Sequence, residues 1–150
     1  MLSFRKAALI AAILAAAQAS NTVLAAPVML PAVHQRGSVK YVSGGIGSDQ
    51  SAALQSAMRD YPLALEFAGK TAYGNEYLSD VRVRIVDIHG ARRLKATAHG
   101  PFLLASLPDG RYKITAIYRG KTLQRVVKVS SGAHLHLLFV WRSHADWSVT

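Results

Sequence analysis

Two histidines, His134 and His136, stand two residues apart in a stretch where apolar and polar residues alternate. On a β-strand that spacing sends both imidazoles to one face. Neutral imidazole is a ligand for Zn²⁺ or Cu²⁺, and His89, His99 or His144 would have to complete the set in space. No third ligand is fixed by spacing. Two polar residues on the solvated face of an alternating strand account for the same pattern, so no cofactor is expected and a metal site on His134 and His136 stands as the alternative.

The other reactive groups point to less. Cysteine is absent, which excludes disulfides, thiolate metal sites, a cysteine nucleophile and a lipid-modified N-terminal cysteine. Serine, histidine and aspartate occur without a Gly-x-Ser-x-Gly elbow, and no carboxylate pair is spaced for acid–base work. An enzyme is therefore not expected. Gly44-Gly45-Ile46-Gly47 precedes a helical pattern, but no lysine follows it as a phosphate loop requires, and Asp49 would repel an anion. It reads as a connecting loop. Trp147, Tyr73 and Tyr77 could contact a sugar, whereas Trp141 and Tyr118 fall on inward faces, so carbohydrate binding is a further alternative.

The charge balance favours anionic surfaces or polyanions without specifying one. Eighteen basic residues against eight acidic ones give a net charge of +10. Removing Arg5 and Lys6 with the leader described below lowers it by two, to +8. Arg82, Arg84, Arg92, Arg93 and Lys95 fall in one pair of predicted strands; Arg111, Lys113, Arg119, Lys121, Arg125 and Lys128 fall in the next. Most alternate with apolar residues, which makes them either a solvated face or an anion-binding surface. Nucleic acid is not expected, because the basic residues interleave with aliphatic residues rather than with exposed aromatics.

The elements that position these residues centre on residues 101–129. There Tyr112, Ile114, Ala116 and Tyr118 alternate with Lys113, Thr115, Ile117 and Arg119, a period of two with one polar face. Pro108-Asp109-Gly110 before that strand and Arg119-Gly120 after it supply turn chemistry, the second predicting a β-hairpin with residues 121–129. Leu123, Val127 and Val129 can share a face there, with Arg125 the exception.

Gly100-Pro101-Phe102-Leu103-Leu104, the turn Leu107-Pro108-Asp109-Gly110-Arg111-Tyr112 and the strand running to Gly120 together resemble the carboxypeptidase regulatory-like domain family. The resemblance implies an all-β, transthyretin-like (prealbumin-like) sandwich of about seven strands over residues 62–141. It also implies an accessory or binding module with no catalytic residues to carry over. The whole chain resembles small exported proteobacterial proteins that contain this domain. Tyr118-Arg119-Gly120-Lys121 echoes the Tyr-Arg-Gly-Ser terminus of the related hydroxyisourate hydrolases. Here it is internal and lacks the serine, so it carries no activity.

Outside that stretch, residues 1–6 carry two positive charges and residues 7–17 are unbroken small apolar residues, the pattern of a cleaved export signal. A membrane span needs about 20 apolar residues, so an uncleaved anchor fits less well. Cleavage is expected between Ala25 and Ala26, or alternatively after Ala19. The product would be periplasmic, or alternatively extracellular, with no transmembrane segment.

Residues 26–61 read as an arm with a strand at 39–42 and a short helix. Ser48 is its expected N-cap, and Leu54, Ala57 and Met58 share one face. Residues 62–141 form the sandwich. Strands are predicted at 63–68, 80–88, 92–98 and 134–141, a polar loop at 69–79, and a tail at 142–150. The outward apolar residues Ile117, Leu138 and Val140 hint at a contact surface. The expected function is a non-catalytic envelope module whose partner is another envelope protein or an anionic envelope polymer.

Overall fold

The computed structural model describes residues 29–142. The expected signal segment with Ala25 and Ala26 lies outside them, as do His144 and Trp147. The protein is an all-β sandwich of two sheets with one short helix. Among the described residues no helix is long and apolar enough to cross a membrane.

The first sheet holds β1 (His34–Arg36), β2 (Val39–Gly44), β7 (Phe102–Ser106), β3 (Leu63–Thr71) and β10 (Leu135–Trp141) in that order. β4 (Gly74–Tyr77) pairs with the far half of β3. The second sheet runs β6 (Arg92–Ala98), β5 (Val81–Asp87), β8 (Gly110–Tyr118) and β9 (Lys121–Val129). β10 lies parallel to β3, from Leu135 opposite Leu63 to Trp141 opposite Gly69; the other pairs are antiparallel.

The second sheet follows its alternation. Val81, Val83 and Ile85 of β5 and Tyr112, Ile114 and Ala116 of β8 are buried, while Arg82, Arg84, Arg111 and Lys113 are exposed. At the β8–β9 turn Arg119 (φ 47°) and Gly120 (φ 78°) take consecutive positive φ angles, as a two-residue hairpin loop of matching twist requires. The chain crosses from β7 in one sheet to β8 in the other through Pro108-Asp109-Gly110. Tyr112 donates its hydroxyl to the Pro108 carbonyl (2.6 Å), and Ser131 donates to the Asp109 carboxylate (2.8 Å), so this crossing is tied from both sides.

Between the sheets, Leu63, Leu65 and Phe67 of β3 meet Val83, Ile85, Ile114 and Phe139 in one core. Trp141 closes one end, tilted against Phe67 and Tyr118, and its indole N–H donates to the Lys121 carbonyl (3.1 Å). The other face of the first sheet is buried as well over β2, β7 and the start of β3. Helix α1 (Ser48–Ala57) sets Leu54 and Ala57 against Val42, Ala64, Phe102 and Leu104, with Met58 and Tyr61 at the margin. A strand covered on both faces loses its polar alternation. Phe102-Leu103-Leu104-Ala105 is accordingly apolar throughout and fully buried.

Among the described residues there are ten strands, eight of them within residues 62–141, where about seven were expected. Three expectations are corrected. Residues 34–57 are not an arm outside the sandwich, because β2 is hydrogen-bonded along its length to β7 and α1 covers the sheet. The expected loop at 69–79 is the β3–β4 hairpin; β4 is exposed at every position, so only its pairing reveals it. The helix N-cap is Gly47, at φ 87°, rather than Ser48, and its carbonyl accepts from the Ser51 N–H (3.0 Å).

Candidate anion-binding site

The outer face of the second sheet has no covering element among the described residues, and its chemistry follows from register. Arg84 on β5 lies directly opposite Lys95 on β6 and Thr115 on β8, and Thr115 in turn opposite Gln124 on β9. The neighbouring row is Thr97, Arg82, Ile117 and Thr122. Further along, Val86 lies opposite Lys113, and Lys113 opposite Val126. Side chains opposite one another are about 5 Å apart at Cβ, and like charges so placed repel. Arg84 and Lys95 form such a pair.

None of Arg36, Arg82, Arg84, Lys95, Lys113 or Lys128 has a carboxylate partner among the described residues. The ion pairs Arg93–Asp87 (2.9 Å) and His136–Glu66 (2.7 Å) lie elsewhere, at the β5–β6 turn and on the first sheet. The face therefore presents unneutralised cations among threonines and a glutamine, with no aromatic ring in its rows.

At one corner it folds into a cleft of about 470 Å³, where β1 and β2 pass alongside β6. Arg82 and Arg84 reach it from β5, Lys95 and Thr97 from β6, His99 from the segment after β6 and Arg36 from the end of β1. The His99 backbone N–H donates to the buried Ser43 hydroxyl of β2 (2.7 Å), which fixes the chain beside the cleft. Among the described residues no acidic side chain lines it. Four permanent cations from three strands thus converge on one concavity. Arginine supplies rigid donor forks that match oxyanions, and lysine a mobile point charge.

The alternation of β5 and β6 foretold Arg82, Arg84 and Lys95. Arg36 was not foreseen, because only the packing of one sheet on the other brings β1 beside β6. His99 appeared in the sequence only as a possible metal partner.

The expected metal pair is arranged differently. His136 lies on β10 with Nε2 on the Glu66 carboxylate (2.7 Å), whereas His134 precedes the strand with Nδ1 at the Tyr61 carbonyl (3.0 Å). Each imidazole is held by its own protein partner. Among the described residues no three His, Cys, Asp or Glu side chains come together to hold a metal ion.

The glycine loop offers no free anion cradle. Gly45 donates its N–H to the Gln50 side chain (2.7 Å), and a Cβ at that position, at φ 104°, would press on Phe102. Of the sugar-contact candidates, Tyr77 packs its ring edge on Phe102 (5.5 Å) and accepts from Gln55 (3.2 Å). Tyr73 is fully exposed at the β3–β4 turn. Trp141 and Tyr118 belong to the aromatic end of the core.

Compared with models of protein families, with curated proteins and with solved structures, the chain matches none. The fold places it among all-β sandwiches, and the functional argument rests on its own residues.

Proposed function

We propose that this protein is an exported, non-catalytic binding module of the bacterial cell envelope, and that its partner is an anionic envelope polymer. One observation carries the reading: the outer face of the second sheet aligns Arg82, Arg84, Lys95 and Lys113 in adjacent rows with no neutralising carboxylate among the described residues. The export pattern at the N-terminus supports an envelope compartment, and the net charge, +8 once Arg5 and Lys6 leave with the leader, favours long-range attraction to a polyanion. The absence of aromatics from these rows argues against single-stranded nucleic acid, whose bases need stacking platforms.

The test is isothermal titration of the protein with a purified phosphate-bearing envelope polysaccharide at about 50 and 200 mM NaCl, against dextran as a neutral control. Binding should weaken steeply across that range, because each neutralised charge on the polymer releases a counterion. Equal binding of dextran, or no heat with the anionic polymer at the lower salt, would overturn the reading.

A further inference from the structure

We propose that the corner cleft is a discrete subsite for a phosphomonoester carried on a sugar unit, within the broader anionic surface; the inference rests on the polymer-binding reading above. Three observations single this corner out from the rest of the face. First, cations converge on it from three separate strands: Arg36 from β1, Arg82 and Arg84 from β5, and Lys95 from β6. Lys113 and Lys128, by contrast, stand on the open sheet. Second, Arg84 and Lys95 are directly opposed in register and have no carboxylate partner among the described residues; Arg111 and Lys128 are opposed in the same way on the open sheet, but the Arg84–Lys95 pair borders the cleft, where a seated anion relieves its repulsion. Third, the cleft has the size of a small-ligand site rather than of a groove for an extended chain.

The charge and shape select the ligand class. Three guanidinium forks and an ammonium can serve the several oxygens of a dianionic phosphate, whereas a carboxylate offers only two oxygens and one charge. Thr97 adds a hydroxyl, and the half-buried Ile117 offers an aliphatic edge against which a sugar ring can rest. His99 is held in place through its backbone bond to Ser43 and borders the site.

The experiment is a titration of ¹⁵N-labelled protein with inorganic phosphate, with glucose 1-phosphate and with glucose, followed by amide NMR at Arg84, Lys95 and His99. It is repeated on Arg84→Gln/Lys95→Gln and on the control Lys113→Gln/Lys128→Gln. All four positions are exposed, so circular-dichroism melting should show both variants folded. Both phosphates should saturate on the wild type, glucose should not, and glucose 1-phosphate should bind the tighter. The cleft variant should lose about tenfold or more in affinity, the control about twofold or less.

Equal affinity for the two phosphates would remove the sugar from the proposal. Shifts that never saturate, or equal losses in the two variants, would overturn the subsite. If the anionic polysaccharide still bound with its steep salt dependence in that case, the open face would survive and only the cleft would be wrong. Loss of polymer binding with phosphate still saturating would instead overturn the polymer reading.

Discussion

Asp87 shows how one carboxylate can organise a turn. One of its oxygens accepts from the backbone N–H groups of His89 (2.9 Å) and Ala91 (3.0 Å), and the other from Arg93 (2.9 Å to Nη2). Burial by itself would push the carboxyl up. The hydrogen bonds from Ala91, Arg93 and His89, with the charge of Arg93, outweigh it and hold the group below its ordinary value. A carboxyl whose pKa falls on folding stabilises the fold above its unfolded pKa, about 3.9, and that contribution fades as pH drops through the lower folded value. Asp87→Asn should therefore melt at a lower temperature than the wild type at neutral pH. The gap should narrow steadily in melts taken below about pH 4. A gap independent of pH would mean that shape, and not charge, holds the turn. Tyr112 shows a different balance: burial raises its phenol above the usual range, and the hydroxyl keeps its proton to donate to Pro108.

At the scale of elements, the helix earns its place through two buried residues. Its N-terminus has no side-chain cap, and it stays helical because Leu54 and Ala57 close the outer face of the first sheet. Leu54 is fully buried against Val42, Ala64, Phe102 and Leu104. Leu54→Ala should cost about 3 kcal/mol, the transfer loss plus the cavity left behind. In urea the midpoint should fall with an unchanged slope. A split into two transitions would show that helix and sandwich fold as separate units. The same cover explains which strands were legible. β5 and β8 alternate because one face meets water, and the sequence declared them plainly. β3 and β2 lie between core and helix and are buried on both faces, yet the alternation of Leu63, Leu65 and Phe67 still marked β3, and a strand was expected at 39–42. β4 has no buried face, and its Gly-Asn-Glu-Tyr segment carries no period to read.

The whole molecule is asymmetric. One sheet buries its outer face under a helix, and the other leaves a basic face open. Rows of like charge weaken the sheet that bears them, so the arrangement sets stability against binding. Replacing Arg82, Arg84 and Lys95 together by Gln should raise stability by about 0.5–1 kcal/mol at low ionic strength. The gain should vanish in about 1 M NaCl, where screening acts over only about 3 Å. Melting curves in the two salts measure it, and the same variant should bind the anionic polysaccharide more weakly. Unchanged stability in low salt would mean that solvent already screens these charges.

The sequence by itself determined the export signal pattern, the β class, the alternating strands of the second sheet and the outward arginines and lysines on them. Each of these is local: a run, a period of two, or a turn tripeptide. What only the tertiary structure decided depends on contacts between distant segments. Sheet order set β2 beside β7, and the packing of the two sheets set β1 beside β6, which carried Arg36 to Arg82, Arg84 and Lys95. Parallel pairing of β10 with β3 placed His136 on Glu66, and the approach of residue 61 gave His134 its own partner. Spacing along a chain tells which face a side chain takes; it cannot tell which face it will meet.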